Sequence, residues 1–439
     1  MKSLHLNMFK KIKYIAVFVL LGGISVQAQV TVQSPYSRYG LGNIKGSLLP
    51  QFRAMGGVST AVFKPNGYST INIQNPASYA SIDLTTLDMG ASGGFTQLRN
   101  GNGKETSFNS TLSHVAMAFP LVKNKSALSI GILPYSELGY EYSVNEKYNA
   151  TDSNTYNALY SGEGGLTKAY VGFGQQIGDY FRFGANIEYL FGNLQENGSI
   201  EIQSAPSINN RRQTKNSVGG LSFSYGAQYE IPLSSKKRIT LGYSGSSPSK
   251  INTKRTFLLT QYLRSDLGEE QAAFDTLQLV ENNASKLKLP LIHNFGITIQ
   301  KDNNWLLGAD YRMGKWSELS IDAVNQGLED SWGFSAGAQI TPDITSLGNY
   351  FKRVDYRVGF QYDKTYIRMN DQDIKQMAIT FGFGFPLAQT SRFSFYKLNL
   401  TTELGRRGMI TNGLIQENYI NLHLGFTLND TWFRRFKLD

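Results

Sequence analysis

The 439-residue chain has no cysteine. Disulfides, thiolate zinc sites, cysteine nucleophiles and a lipid anchor on an N-terminal cysteine are therefore excluded. Charged residues are sparse at 17%, below the quarter typical of soluble domains. Proline is sparse too, 12 residues against 44 glycines. Beyond residue 28 no stretch reaches the ~18 apolar residues of a transmembrane helix. Histidine is limited to His5, His114, His293 and His423. These stand apart, without HExxH, HxxxH or an acidic cluster, so no metal centre is expected. No GxSxG elbow occurs, and Asp152-Ser153-Asn154 lacks the glycine and distal glutamate of a calcium loop. The chain is not expected to be an enzyme, and no cofactor is implied.

What is present is aromatic and mildly basic. Phe, Tyr and Trp make up 13% of residues, which suits amphipathic strands between aromatic girdles. The formal net charge is +10. Lys2, Lys10, Lys11 and Lys13 precede an apolar run over 14–26, which ends in Val26-Gln27-Ala28. That order reads as a secretory signal peptide over residues 1–28. Without its four lysines the net charge is +6. The remaining basic residues are dispersed, so the expected partner is anionic lipid rather than nucleic acid. An exported chain without a helical span enters a membrane only as a closed barrel, because an open sheet leaves edge groups unsatisfied in lipid.

Period-2 alternation predicts fourteen strands, over 84–98, 107–121, 126–142, 166–177, 180–196, 217–231, 238–253, 289–300, 305–319, 331–340, 354–367, 375–386, 392–404 and 417–428. The last four are clearest. Tyr356, Val358, Phe360 and Tyr362 alternate with Asp355, Arg357, Gly359 and Gln361, for example. Alternation alone does not say which face meets water. Signal peptide, aromatic load and strand number together favour a membrane barrel over a sandwich. Links 122–125, 178–179, 232–237, 301–304 and 387–391 are short, whereas 143–165 and 264–287 are long. Short periplasmic turns and long outer loops then put both termini in the periplasm of a Gram-negative cell. The link 341–353 is longer than this rule expects. The expected organisation is a signal peptide (1–28), an N-terminal plug (29–83), an all-β, antiparallel transmembrane barrel (84–428) and a periplasmic tail (429–439).

The plug region lacks both periods. Ser34-Pro35-Tyr36-Ser37-Arg38-Tyr39-Gly40 opens it, and Arg38 is expected to pair with acids on the wall. Arg53-Ala54-Met55-Gly56-Gly57 follows, with a glycine pair suited to close backbone packing. Asn75-Pro76-Ala77-Ser78 then breaks any ladder, since proline offers no N–H. The stretch GGVSTAV, a spacer and QNPASYASI resembles the FadL/TodX family of outer-membrane long-chain fatty-acid transporters. Asn75, Pro76 and Ala77 match that family's NPA motif after its small-residue hatch. The opening SPYSRYGLG and the RAMGG step look like the form found in Bacteroidetes.

The resemblance implies a barrel plugged by a hatch. It also implies a kinked third strand that opens a lateral gate, matched here by Pro134 and Tyr135. Loop-side apolar residues Phe257, Leu258, Leu259 and Tyr262 are the expected contributors to a hydrophobic ligand site. Trp432, Phe433, Arg434 and Arg435 are the expected interface or partner anchor. Two functions are in view. One is passive uptake of hydrophobic compounds such as long-chain fatty acids. The other is a non-transporting barrel serving as an accessory subunit of an outer-membrane secretion or assembly complex, with protein partners. The NPA motif is expected to pin the plug to the wall rather than touch cargo.

Overall fold

The computed structural model describes residues 34–431, apart from 102, 148–154, 203–206, 265–270 and 389–393. The expected signal peptide and the anchor residues Trp432, Phe433, Arg434 and Arg435 lie outside the described residues.

Sixteen long strands follow one another. They are β1 (Thr85–Arg99), β2 (Lys104–Val122), β3 (Ser126–Lys147), β4 (Thr155–Ile177), β5 (Phe181–Ile202), β6 (Ile208–Ser234), β7 (Lys237–Ser246), β8 (Lys250–Leu263), β9 (Asp275–Lys288), β10 (Ile292–Lys301), β11 (Trp305–Gly314), β12 (Ser331–Ile340), β13 (Asp355–Met369), β14 (Gln372–Pro386), β15 (Phe395–Arg407) and β16 (Gln416–Asp430). Fourteen of them, β1 to β7 and β10 to β16, form an antiparallel ring that closes where β16 pairs with β1 from Gln416↔Arg99 to Asp430↔Thr85. No helix among the described residues is long and apolar enough to cross a membrane.

The strands are inverted relative to a soluble domain. Along β5, Phe181, Phe183, Ile187, Tyr189 and Phe191 are exposed, while Arg182, Asn186 and Glu188 between them are buried. The outer surface is therefore apolar and the bore polar, as a bilayer requires. Several luminal charges are paired: Lys168 with Glu188 at 3.1 Å, Arg312 with Asp363 at 2.7 Å, and Asp355 with both Arg357 and Lys397 at 2.7 Å.

The link 341–354, at the rim where β1 begins and β16 ends, carries a 3-10 turn, Tyr350–Arg353. Hydrogen bonds from the Thr345 hydroxyl and amide hold the Asp343 carboxyl below its ordinary range in this exposed loop. At the opposite, far rim not every link is long. β13 and β14 join through Asn370 and Asp371, both at positive φ (47° and 58°), the geometry of a two-residue hairpin.

One departure from the expected pattern is a hairpin. The predicted strand over 238–253 divides: β7 stays in the wall and pairs with β10, while β8 turns outward and pairs with the upper half of β6 and with β9. The upper halves of β5 and β6 carry polar residues on both faces, such as Gln195, Glu196, Asn197, Arg211, Arg212 and Gln213. No face there is apolar enough for lipid, so the hairpin rises beyond the bilayer.

Candidate functional site, a luminal segment beside a gap in the wall

Residues 34–83 lie inside the ring of strands, and nearly all of them are buried or half-buried. Asn75 is the junction. Its Oδ1 accepts from the Ala77 amide at 3.1 Å and caps the 3-10 turn Pro76–Ser81, with Pro76 at the first position. Its Nδ2 donates to the carbonyls of Thr60 (2.6 Å), Tyr243 (3.2 Å) and Ala227 (3.3 Å). One side chain thus joins two stretches of the luminal segment to β6 and β7. Ala77 is fully buried. Nearby, the Tyr79 hydroxyl donates to Asn186 at 3.2 Å.

The segment sits on glycine. A Cβ at Gly184 would strike the Pro76 carbonyl, one at Gly226 the side-chain oxygen of Asn75, and one at Gly242 the Thr60 carbonyl. Across the bore, Gly337 and Gly359 meet Met55 and Gly56 in the same way. Gly56 itself has φ +69°, and its amide donates to Thr380 Oγ1 at 2.9 Å. Asp310 Oδ2 accepts from the Ser59 and Thr60 amides at 2.9 and 2.8 Å. Luminal backbone is therefore seated against the wall on several sides of the bore.

Tyr36 is buried, and its hydroxyl donates to the Ile415 carbonyl. Arg38 departs from the expected acid partner. Its guanidinium lies 4.9 Å from the Tyr160 ring and 5.7 Å from that of Tyr142, and it donates to the Tyr142 hydroxyl. Flanking aromatics on β3 and β4 supply a cation–π site instead of a carboxylate. Tyr39 is half-buried against an apolar cluster that includes Leu41, Leu138, Leu190, Leu319 and Trp316. That cluster lies in the far half of the bore, and a cavity of about 380 Å³ opens beside Leu190, Leu289, Trp316 and Tyr366.

The wall has a gap at β3. Pairing of β2 with β3 ends at Val115↔Ile132. Above it, β2 continues on β1 and β3 continues on β4. Pro134 stands at this divergence, and the β3–β4 register shifts between Pro134 and Ser136, as a proline within a ladder demands. The freed edge of β3 is not empty. Asn43 and Ile44 pair with Glu137 and Ser136, the Lys45 amide donates to the Tyr135 carbonyl at 3.0 Å, and the Ser34 amide to the Gly139 carbonyl at 3.1 Å. Lys45 also pairs with Glu137 at 2.5 Å. A cavity of about 290 Å³ opens beside the gap, and its lining mixes polar side chains such as Arg53, His114 and Glu403 with apolar ones such as Leu49, Leu112 and Leu133.

The structure does not gather all the predicted residues. Phe257, Leu258 and Leu259 pair with Val280, Leu279 and Gln278 on the far-rim hairpin. Tyr262 is buried, donating to Glu201 at 2.9 Å with Arg211 4.6 Å from its ring. None of the four lines the cavity at the gap. The edge pairing by residues 43–45 was not visible in the sequence. The luminal glycines were visible as small residues on the polar faces, but nothing marked what would press on them.

A closed ring of fourteen strands with an apolar exterior, an occupied bore and a third strand that leaves its neighbour defines an outer-membrane barrel of the FadL/TodX type. The match to a protein-family model extends over residues 8–439, and the chain belongs to that family, BamG. No curated protein matches the chain. Solved structures share the fold. The Pseudomonas putida toluene transporter TodX has a TM-score of 0.55 at 15% identity, over 90% of this chain and 100% of TodX. The Ralstonia pickettii toluene transporter TbuX gives 0.54 at 14%, over 88% and 99%. A Pseudomonas aeruginosa FadL homologue gives 0.55 at 12%, over 90% and 100%.

Proposed function

We propose that this barrel is an accessory subunit of an outer-membrane secretion or assembly complex, with residues 34–83 as a fixed plug. The seating of the plug backbone on wall glycines carries this reading. A hatch that moves each time cargo passes would have to break Asn75's three bonds to backbone carbonyls, the Asp310 cap and the pairing on β3 together. The family's name, BamG, has the form of a membrane-complex subunit, in agreement with this role.

A second reading, passive uptake of hydrophobic compounds with lateral exit at Pro134 and Tyr135, is favoured by the gap itself and by the shared fold with toluene transporters. A disulfide lock separates the two. The natural chain has no cysteine, so Ile44→Cys with Ser136→Cys, at paired positions, gives a clean cross-link of plug to gap. A subunit keeps its partners and its cellular role when locked. A transporter loses uptake when oxidised and regains it on reduction, and that result would overturn the subunit reading.

A further inference from the structure

The far-rim hairpin gathers like charges where it leaves the wall. On β6 the odd-numbered residues face lipid: Leu221, Phe223, Tyr225 and Tyr229 are exposed, while Ser222 and Gln228 are buried. Leu221 is the last exposed apolar residue on that face, and Gly219, Ser217 and Lys215 continue it toward the far rim. Directly opposed residues of a ladder share a face. Ser217↔Lys254 and Gly219↔Asn252 therefore bring β8 onto it, and Ala284↔Lys254, Lys286↔Asn252 and Lys288↔Lys250 bring β9. Lys215, Lys250, Lys254, Lys286 and Lys288 all look outward, while Ile251 and Leu287 beside them turn into the apolar cluster of the bore. Lys288 is half-buried and the other lysines are exposed. Among the described residues only Lys288 of this set has a carboxylate partner, Glu318 at 2.8 Å.

We propose that this face binds the phosphates of lipid in the leaflet at the far rim, which is the outer leaflet when both termini lie in the periplasm. Two observations name the occupant. The first is continuity. The lysines extend, on the same strand and the same face, the surface that the bilayer already covers. Phe191, the last exposed apolar residue on that face of β5, shares a ladder row with Gly219, Asn252 and Lys286. Just past the hydrocarbon a membrane presents its charged headgroups. The second is repulsion. Lys250 and Lys288 are directly opposed, an arrangement that destabilises a ladder when both charges are alike. A phosphate between them removes that repulsion, and lysine serves phosphate as a point charge. The nearby acids do not cancel the patch. Glu318 is spent on Lys288, and Asp322 is exposed on the turn beside Lys286 without an ion pair to it. Glu281 lies beyond the bulge between Val280 and Asn283, and Glu163 stands two strands from Lys215, across Gln195. The site goes beyond the role proposed above and holds for a subunit and a conduit alike.

The test titrates the full-length protein in mild detergent with a bisphosphorylated lipid A and, separately, with the same lipid dephosphorylated. Bound copies are counted by native mass spectrometry. The unmodified protein should bind the phosphorylated lipid at least about tenfold more tightly than the dephosphorylated one. Lys250→Gln with Lys254→Gln and Lys286→Gln should remove at least about tenfold of that affinity. Arginine at the same three positions should retain it, because the charge is kept. Lys123→Gln with Lys236→Gln and Lys237→Gln takes the same charge from exposed lysines of the opposite rim and should leave the affinity unchanged. All variants should show the heat-modifiable migration of the unmodified barrel, since the substituted side chains are exposed. Equal affinity for the two lipids, equal loss in the two glutamine triples, or displacement of the lipid by inorganic phosphate at constant ionic strength overturns the inference.

Discussion

At the scale of single residues, the bore is organised by small groups under close contact. Asn75→Ala removes the turn cap and the bonds to Thr60, Tyr243 and Ala227. Leaving buried carbonyls unpaired costs about 1–3 kcal/mol, so the variant should unfold at lower denaturant or temperature in a heat-modifiability gel. Gly184→Val puts a side chain into the Pro76 carbonyl. Overpacking of this kind costs roughly 1–3 kcal/mol, more when only backbone can yield. The matched change Ala185→Val, whose side chain points outward toward lipid, should leave assembly unchanged. Equal loss of assembled barrel from both would show that the luminal face has no special intolerance. Asn75-Pro76-Ala77 was legible as a motif, because its residue types are those of a capped turn. The glycines beneath it were not, since a glycine in a strand is equally a bulge, a bend or a close approach until its neighbour is known.

At the scale of elements, the decisive feature is the divergence of β2 and β3. Pro134 announced it: a strand proline signals a broken ladder, and the break is there. What the pattern did not announce is that Asn43 and Ile44 occupy the edge so freed. A two-residue pairing has no period to detect. Deleting it by Asn43→Pro with Ile44→Pro should expose the β3 edge. The expected readout is faster hydrogen exchange of the amides around Glu137 and Gly139, with β1, β13 and β14 unaffected. Unchanged exchange there would mean that the segment merely lies near the gap. The β8–β9 hairpin was hidden for a related reason. Its second strand, β9, alternates weakly because both faces of its outer part are exposed, and a two-period signal needs one dry face.

At the scale of the whole molecule, fourteen wall strands were legible because lipid and bore impose opposite chemistry on successive residues. Function was less legible because the same alternation serves a conduit and a scaffold equally. The difference lies in what occupies the bore, and here it holds ion pairs, seated backbone and an apolar cluster toward the far rim. The most direct test is composition of the native particle. The full-length protein, extracted from its own outer membrane in mild detergent, is weighed by native mass spectrometry and assayed for bound lipid. A stoichiometric complex with at least one further protein, and no hydrophobic molecule held in the bore, is the expected result. A lone barrel carrying a bound hydrophobic compound, together with loss of uptake of that compound on deletion of the gene, would contradict the account.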